Sequence, residues 1–252
     1  MPSILLTNDD GIHSPAFDIL ESALAGLGDI TIVAPDREMS ASSQSLTLNQ
    51  PLRYQKVSEN RYAVQGTPAD CVILATFKIL KEPPTLVISG INKGLNVGDD
   101  IAYSGTVAGA LEAVLQGIPA IAISTYSQTR PDFHGAAQAV VRYAKKVLAD
   151  GLPPDVALNV NYPEVWNGEV RLTRQGRRAT KTVLVAKLDP RGREYFWMHE
   201  EVHQPHVTTG ALIDNPLTDY SAIKSGYVSV TPLQIDRTAL PHMKSVAEWL
   251  EI

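Results

Sequence analysis

Two kinds of hydrophobic pattern alternate through the first two thirds of the chain. Ser3–Thr7 carries the continuous apolar run Ile4-Leu5-Leu6, as a strand buried on both faces requires. Ser14-Pro15 then supplies a helix N-cap and a proline at the first helical position. Phe17, Leu20, Leu24 and Leu27 follow at helical spacing. Asp29–Ala34 predicts a second strand, stopped by Pro35-Asp36. A polar stretch, Arg37–Ser45, leads to strand-like pieces at Leu46–Leu48, Arg53–Val57 and Tyr62–Val64. Thr67-Pro68-Ala69-Asp70 reads as a capping box that opens a helix reaching about Leu80. Thr85–Ser89, Pro119–Ser124 and Val156–Val160 predict further strands, with helices over Gly105–Leu115 and Ala136–Leu148 between them. Strands alternating with helices predict an α/β fold built on a parallel sheet.

After about residue 165 the pattern changes. Val170–Thr173, Thr182–Ala186 and Glu194–Met198 look like strands of long hairpins, with Asp189-Pro190-Arg191-Gly192 as a turn. Tyr227–Thr231 is strand-like, and Leu240–Leu250 predicts a short terminal helix. No repeat or Gly/Ser-rich linker divides the chain. The expectation is therefore one domain spanning residues 1–252: a core over about 1–165, a β-hairpin arm region over about 166–235, and a C-terminal helix over about 236–252. Isolated hairpins are marginal in water, so the arm is expected to pack against another subunit.

Composition narrows the function classes. The 252 residues are 44% hydrophobic and 19% charged, a globular balance that argues against a disordered tail protein. The formal net charge of −5 argues against generic binding to nucleic acid or to an anionic membrane. A single cysteine, Cys71, excludes an intrachain disulfide and a cysteine-rich zinc site. Ile4-Leu5-Leu6 is too short for a secretory segment, and Val107–Ser124 carries Glu112, Gln116, Gly117 and Pro119. A cytoplasmic protein without a membrane partner is expected.

In open α/β sheets, ligands bind beyond the carboxyl ends of the strands. The first strand runs into Asn8-Asp9-Asp10-Gly11, the second leads to Ser40, Ser42 and Ser43, and the third continues through Asn92 and Asn96 to Asp99-Asp100. All are oxygen donors, suited to Mg²⁺ or Mn²⁺ rather than to zinc or copper. Asn8–Gly11 also has an ordinary account as a βα turn, but adjacent ionised carboxylates repel, and a divalent cation relieves that repulsion. Tyr103-Ser104-Gly105-Thr106-Val107 places hydroxyls and free backbone N–H groups at a helix start, as either a simple cap or an anion cradle. A cation beside a neutral anion cradle is a layout for phosphoryl chemistry. The dinucleotide fingerprint, the P-loop and the nucleophile elbow are all absent from the sequence.

Six segments in order carry a family resemblance: Ile4–Ile12, Val33–Arg37, Gly66–Cys71, Ser89–Gly94, Tyr103–Val107 and Gly226–Leu233. Together they resemble the SurE family, whose members are nucleotidases acting on nucleoside 5′- and 3′-monophosphates. The resemblance implies a Rossmann-like, three-layer α/β/α core, one divalent cation per subunit (Mg²⁺ or Mn²⁺), and a homo-dimer or homo-tetramer built through projecting arms. Carried over by motif, Asp9, Asp10, Ser40 and Asn92 would hold the metal, with Asp9 and Asp10 catalytic. Asn96, Ser104, Gly105 and Thr106 would hold the phosphate. Ala16, Met39 and Leu95 depart from the family's usual residues, at loop and rim positions that bear on substrate preference.

The expected function is metal-dependent hydrolysis of nucleoside monophosphates, with Asp9 open as base, nucleophile or ligand only. The alternative is a nucleotide-binding sensor that uses the same sites without turnover. His13 is the one histidine near the proposed site. Arg171, Arg174, Arg177, Arg178 and Lys181 form the single basic cluster, read as a solvated hairpin face or as an arm reaching a neighbour's site. His199, His203 and His206 are spaced too loosely for a metal site.

Overall fold

The computed structural model describes residues 1–127, 131–177, 180–202 and 217–252. The first strand, β1 (Ser3–Thr7), lies at the centre of a sheet, and its apolar run is buried from both sides. Ile4 and Leu6 pack into one core with helices α1 (Ala16–Leu24) and α4 (Phe133–Asp150). Leu5 packs into the other core, against α2 (Pro68–Leu74) and α3 (Gly105–Leu115). The period-2 alternation of strand side chains thus feeds two helical layers, which gives the three-layer arrangement.

The remaining strands of that sheet are β2 (Asp29–Pro35), β3 (Tyr54–Ser58), β4 (Arg61–Val64), β5 (Leu86–Lys93), β6 (Ala120–Thr125), β7 (Val156–Tyr162), β8 (Val170–Leu172) and β11 (Val228–Gln234). Among the described residues their order is β3-β4-β2-β1-β5-β6-β7-β11-β8. The run from β4 through β7 is parallel throughout, as the βα alternation predicts. The ends depart from that expectation, because β3 runs antiparallel to β4, and β11 antiparallel to β7. The short turn between β3 and β4 permits only an antiparallel return.

Other differences have local causes. Val170–Thr173 was expected in a hairpin, but β8 pairs parallel with β11 at the sheet edge. Leu46–Leu48 forms no strand, because the Thr47 N–H and hydroxyl both donate to Asp70, at 3.0 and 2.6 Å. Helix α1 starts at Ala16 without a side-chain cap from Ser14. The expected capping box of α2 is present, with Thr67 and Asp70 each bonding the other's backbone N–H. Helix α5 (Asp219–Lys224) is too short to show a period and escaped the sequence reading.

The arm is the hairpin of β9 (Thr180–Leu188) and β10 (Glu194–Val202), closed at Asp189-Pro190-Arg191-Gly192 as expected. Asp189 Oδ1 accepts the N–H groups of Arg191 and Arg193 at 2.8 and 2.9 Å. Leu188, Phe196, Trp197 and Met198 are exposed on it. The C-terminal helix α6 (Met243–Leu250) likewise buries none of its residues. No helix among the described residues is long and apolar enough to cross a membrane.

Candidate active site

The chain passes from β1 outward to β2 and then returns to β5 on the other side of β1, so the strand order reverses between β1 and β5. A crevice opens at the carboxyl ends of such a pair. Asn8 turns the chain off β1, its Oδ1 accepting the Gly11 N–H at 3.0 Å. Asp9 follows, only 4% exposed, with Asp10 half-buried beside it.

The N-terminus of α3 holds Asp9. The Thr106 hydroxyl donates to Asp9 Oδ1 at 2.5 Å, and the Thr106 N–H donates to Oδ2 at 3.1 Å. This approach requires Gly105: a Cβ there would lie 2.8 Å from Asp9 Cβ and 2.8 Å from Ser42 Oγ. Ser104 caps the helix, its Oγ accepting the Val107 N–H at 3.0 Å, which leaves the hydroxyl proton available. Burial pushes the Asp9 carboxyl above its usual range, against the pull of Thr106 and the α3 amides. Asp10 is pushed up to about 6, by burial first and then by the negative charges of Asp9 and Glu38, with Lys93 opposing. Among the described residues neither carboxylate has an ion-pair partner.

Asn92 reaches the crevice because β5 is irregular between Ser89 and Asn92. Gly90 makes that possible, since a Cβ there would sit 2.2 Å from the Ile123 carbonyl oxygen. Asn92 Nδ2 donates to Gly94 O at 2.9 Å, so its carbonyl oxygen remains for a ligand. Ser40, exposed on the loop after β2, donates its hydroxyl proton to Glu38 Oε1 at 2.7 Å and keeps lone pairs to offer.

Asp9, Asp10, Ser40, Asn92, Asn96 and Ser104 all line one cleft of about 860 Å³. Two carboxylates, an amide oxygen and a hydroxyl make a hard-oxygen donor set, and a buried carboxylate paired only with neutral donors is electrostatically uncompensated. Both features fit a divalent cation such as Mg²⁺ or Mn²⁺. Among the described residues no three His, Cys, Asp or Glu side chains gather as a metal site, so any site here is of mixed donors.

Gly105 and Thr106 stand directly behind Asp9, outside the residues that line the cleft, with Thr106 donating two hydrogen bonds to its carboxylate. The cleft also takes in Glu38, Lys93, Tyr103, Thr182 and Met198, which the sequence reading did not assign a role. Lys93 and Tyr103 stood inside quoted motifs, whereas nothing local marked Thr182 and Met198, which arrive from the hairpin. His13 is exposed and does not line the cleft. In the basic cluster, Arg171 stacks on Tyr227 at 4.4 Å, and Arg177 lies 3.7 Å from Asp99. Arg178, His203, His206 and the side chains of Lys181 and His199 fall outside the described residues.

The family described as Survival protein SurE matches residues 4–182. The protein named 5′-nucleotidase SurE from Pelobacter propionicus is 47% identical over 251 residues, covering 98% of this chain and 99% of that one. Its namesake from Aquifex aeolicus is 45% identical over 251 residues, covering 98% and 97%. The crystal structure of the SurE protein from Aquifex aeolicus superposes with a TM-score of 0.84 at 44% identity, covering 100% of both chains. With the family matching residues 4–182 and relatives of 45–47% identity covering 98% of the chain, the chain belongs to the SurE family.

Proposed function

We propose that the protein is a divalent-metal-dependent phosphomonoesterase that hydrolyses nucleoside 5′-monophosphates, and 3′-monophosphates as well, to nucleoside and phosphate. The observation that carries the reading is the buried Asp9 carboxylate, locked by Thr106 at the N-terminus of α3 and set beside Asp10 in one cleft with Asn92 and Asn96. The name 5′-nucleotidase, borne by relatives such as that of Pelobacter propionicus, supports the same reading.

Asp9, Asp10, Asn92 and Ser40 would hold the cation. A divalent cation bound there supplies charge neutralisation to the phosphate and makes water a stronger nucleophile. With both oxygens of Asp9 held by Thr106, its part is to stay in place as a ligand rather than to leave its position as a nucleophile. The Ser104 hydroxyl and the Asn96 amide donate to the phosphoryl oxygens, and Lys93 adds positive charge at the same wall. Leu95, Tyr103 and Met198 give the cleft an apolar rim against which the face of a nucleobase packs.

The exposed apolar residues of the β9–β10 hairpin and of α6 support assembly into a homo-dimer or homo-tetramer. We place the enzyme in the cytoplasm, with no stable nucleic-acid partner. A panel of 5′- and 3′-nucleotides, assayed for phosphate release with Mg²⁺, with Mn²⁺ and with EDTA, tests the reading. Metal-dependent release is expected. Nucleotide binding without release under any metal condition would leave a sensor in its place.

A further inference from the structure

Four hydrogen bonds converge on Asn96, and all come from side chains on strands remote in sequence. Asn161 on β7 meets its backbone with both ends of its amide: Oδ1 accepts the Asn96 N–H at 2.9 Å, and Nδ2 donates to the Asn96 carbonyl at 3.0 Å. Asn159, on the same face of β7, donates to that carbonyl at 2.8 Å. On β6, Ser124 Oγ accepts from Asn96 Nδ2 at 2.7 Å. Ser124, Asn159 and Asn161 are each 0% exposed.

The sheet does not need these polar groups. On the same face of β6 and β7, Ala122 and Ala157 pack into an apolar core, and a buried amide or hydroxyl costs free energy wherever its hydrogen bonds are incomplete. Asn159 in fact leaves its own Oδ1 buried without a partner among the described residues. Stability alone does not favour such a cluster. What the cluster does is fix a loop residue at three points, N–H, C=O and side chain. The Ser124 contact also selects one orientation of the Asn96 amide, leaving its second N–H for the cleft that Asn96 lines. A donor aimed before the substrate arrives need not be ordered during the reaction.

We infer that Ser124 and Asn161 are positioning residues that act on the reaction through Asn96, holding its amide against the phosphate-facing wall. This rests on the reading above in which Asn96 binds the phosphoryl group. Ser124→Ala removes a single oxygen and Asn161→Leu removes the backbone clamp; each is made alone and in an Asn96→Ala background. Phosphate release from adenosine 5′-monophosphate is measured with Mn²⁺, alongside the rise in melting temperature that Mn²⁺ induces.

Ser124→Ala is expected to lower kcat/KM about tenfold and Asn161→Leu about a hundredfold, the scale of a misplaced transition-state donor. In the Asn96→Ala background neither should cost more than about twofold, because residues acting through one partner are not additive. The Mn²⁺-induced rise should persist in Ser124→Ala. An unchanged kcat/KM in Ser124→Ala would overturn the inference, as would equal losses with and without Asn96, or a vanished Mn²⁺ response. Should Asn161→Leu fail to fold, Ser124→Ala decides alone. A wild-type protein that releases no phosphate would defeat the functional reading and this inference together; an active wild type with an indifferent Ser124→Ala defeats the inference only.

Discussion

Thr106 grips both oxygens of Asp9, its hydroxyl 2.5 Å from Oδ1 and its N–H 3.1 Å from Oδ2. A residue at the start of α3 thereby dictates how the carboxylate after β1 stands, and Asp10 is left to meet the cleft from a less buried position. Thr106→Val keeps the shape and the N–H but removes the hydroxyl. A hydrogen bond to a charged group contributes about 1.5–3 kcal/mol. Loss of it from the aligned carboxylate is expected to lower kcat for nucleotide hydrolysis roughly tenfold to a hundredfold. Thr106→Ser should restore most of it, as steady-state phosphate release with saturating Mn²⁺ would record.

Gly105→Ala tests the close approach itself. The added methyl would stand 2.8 Å from both Asp9 Cβ and Ser42 Oγ, so α3 or the β1 loop must shift. Overpacking of this kind costs about 1–3 kcal/mol. Urea denaturation is expected to show that loss, and Mn²⁺ should raise the melting temperature less than in the wild type. Wild-type stability together with an unchanged Mn²⁺ response would show that the helix start is not held against Asp9.

Asp10 gives the metal response a pH dependence. Its carboxyl is pushed from 3.8 to about 6 in the folded, metal-free chain, chiefly by burial and then by Asp9 and Glu38. Between those values the folded chain holds a proton that the unfolded chain releases. This group's contribution to stability is therefore fullest below 3.8 and falls as pH rises through about 6. A cation binding the ionised pair must displace that proton, so binding weakens as pH drops below about 6. The increase in melting temperature caused by Mg²⁺ or Mn²⁺ should accordingly be larger at pH 7.5 than at pH 5. Asp10→Asn should flatten the difference.

Phe196 and Trp197 are 56% and 63% exposed on the two-stranded arm, which a lone chain leaves facing water. Sedimentation is expected to give an oligomer for the wild type and a smaller species for a Phe196→Glu/Trp197→Glu double variant. A monomeric wild type would remove the arm from the account of assembly.

Periodicity placed most of the layers because the parallel strands, buried on both faces, had to be nearly continuous in apolar residues, as Ile4-Leu5-Leu6 is. The antiparallel ends were hidden: nothing local to Val228–Gln234 distinguishes its direction, which follows from what it pairs with. Asp9 and Asp10 stood out because adjacent like charge after a strand is conspicuous, whereas Ser40 and Asn92 were singled out from the other polar residues at the strand ends by the family resemblance. The work of Thr106 was not, since a hydroxyl at a helix start reads equally as a cap, an anion donor or a partner to a carboxylate, and only the approach over Gly105 decides. Asn159, Asn161 and Ser124 were silent for a related reason. Their partner, Asn96, lies 63, 65 and 28 residues away in the chain.

Calorimetric titration of Mn²⁺ into chelator-stripped protein tests the central claim most directly. One site per chain is expected in the wild type, lost in Asp9→Asn and strongly weakened in Asn92→Ala, with both variants still folded. Absence of binding to the wild type, or one site per chain retained by Asp9→Asn, would contradict a cation held at the mouth of β1.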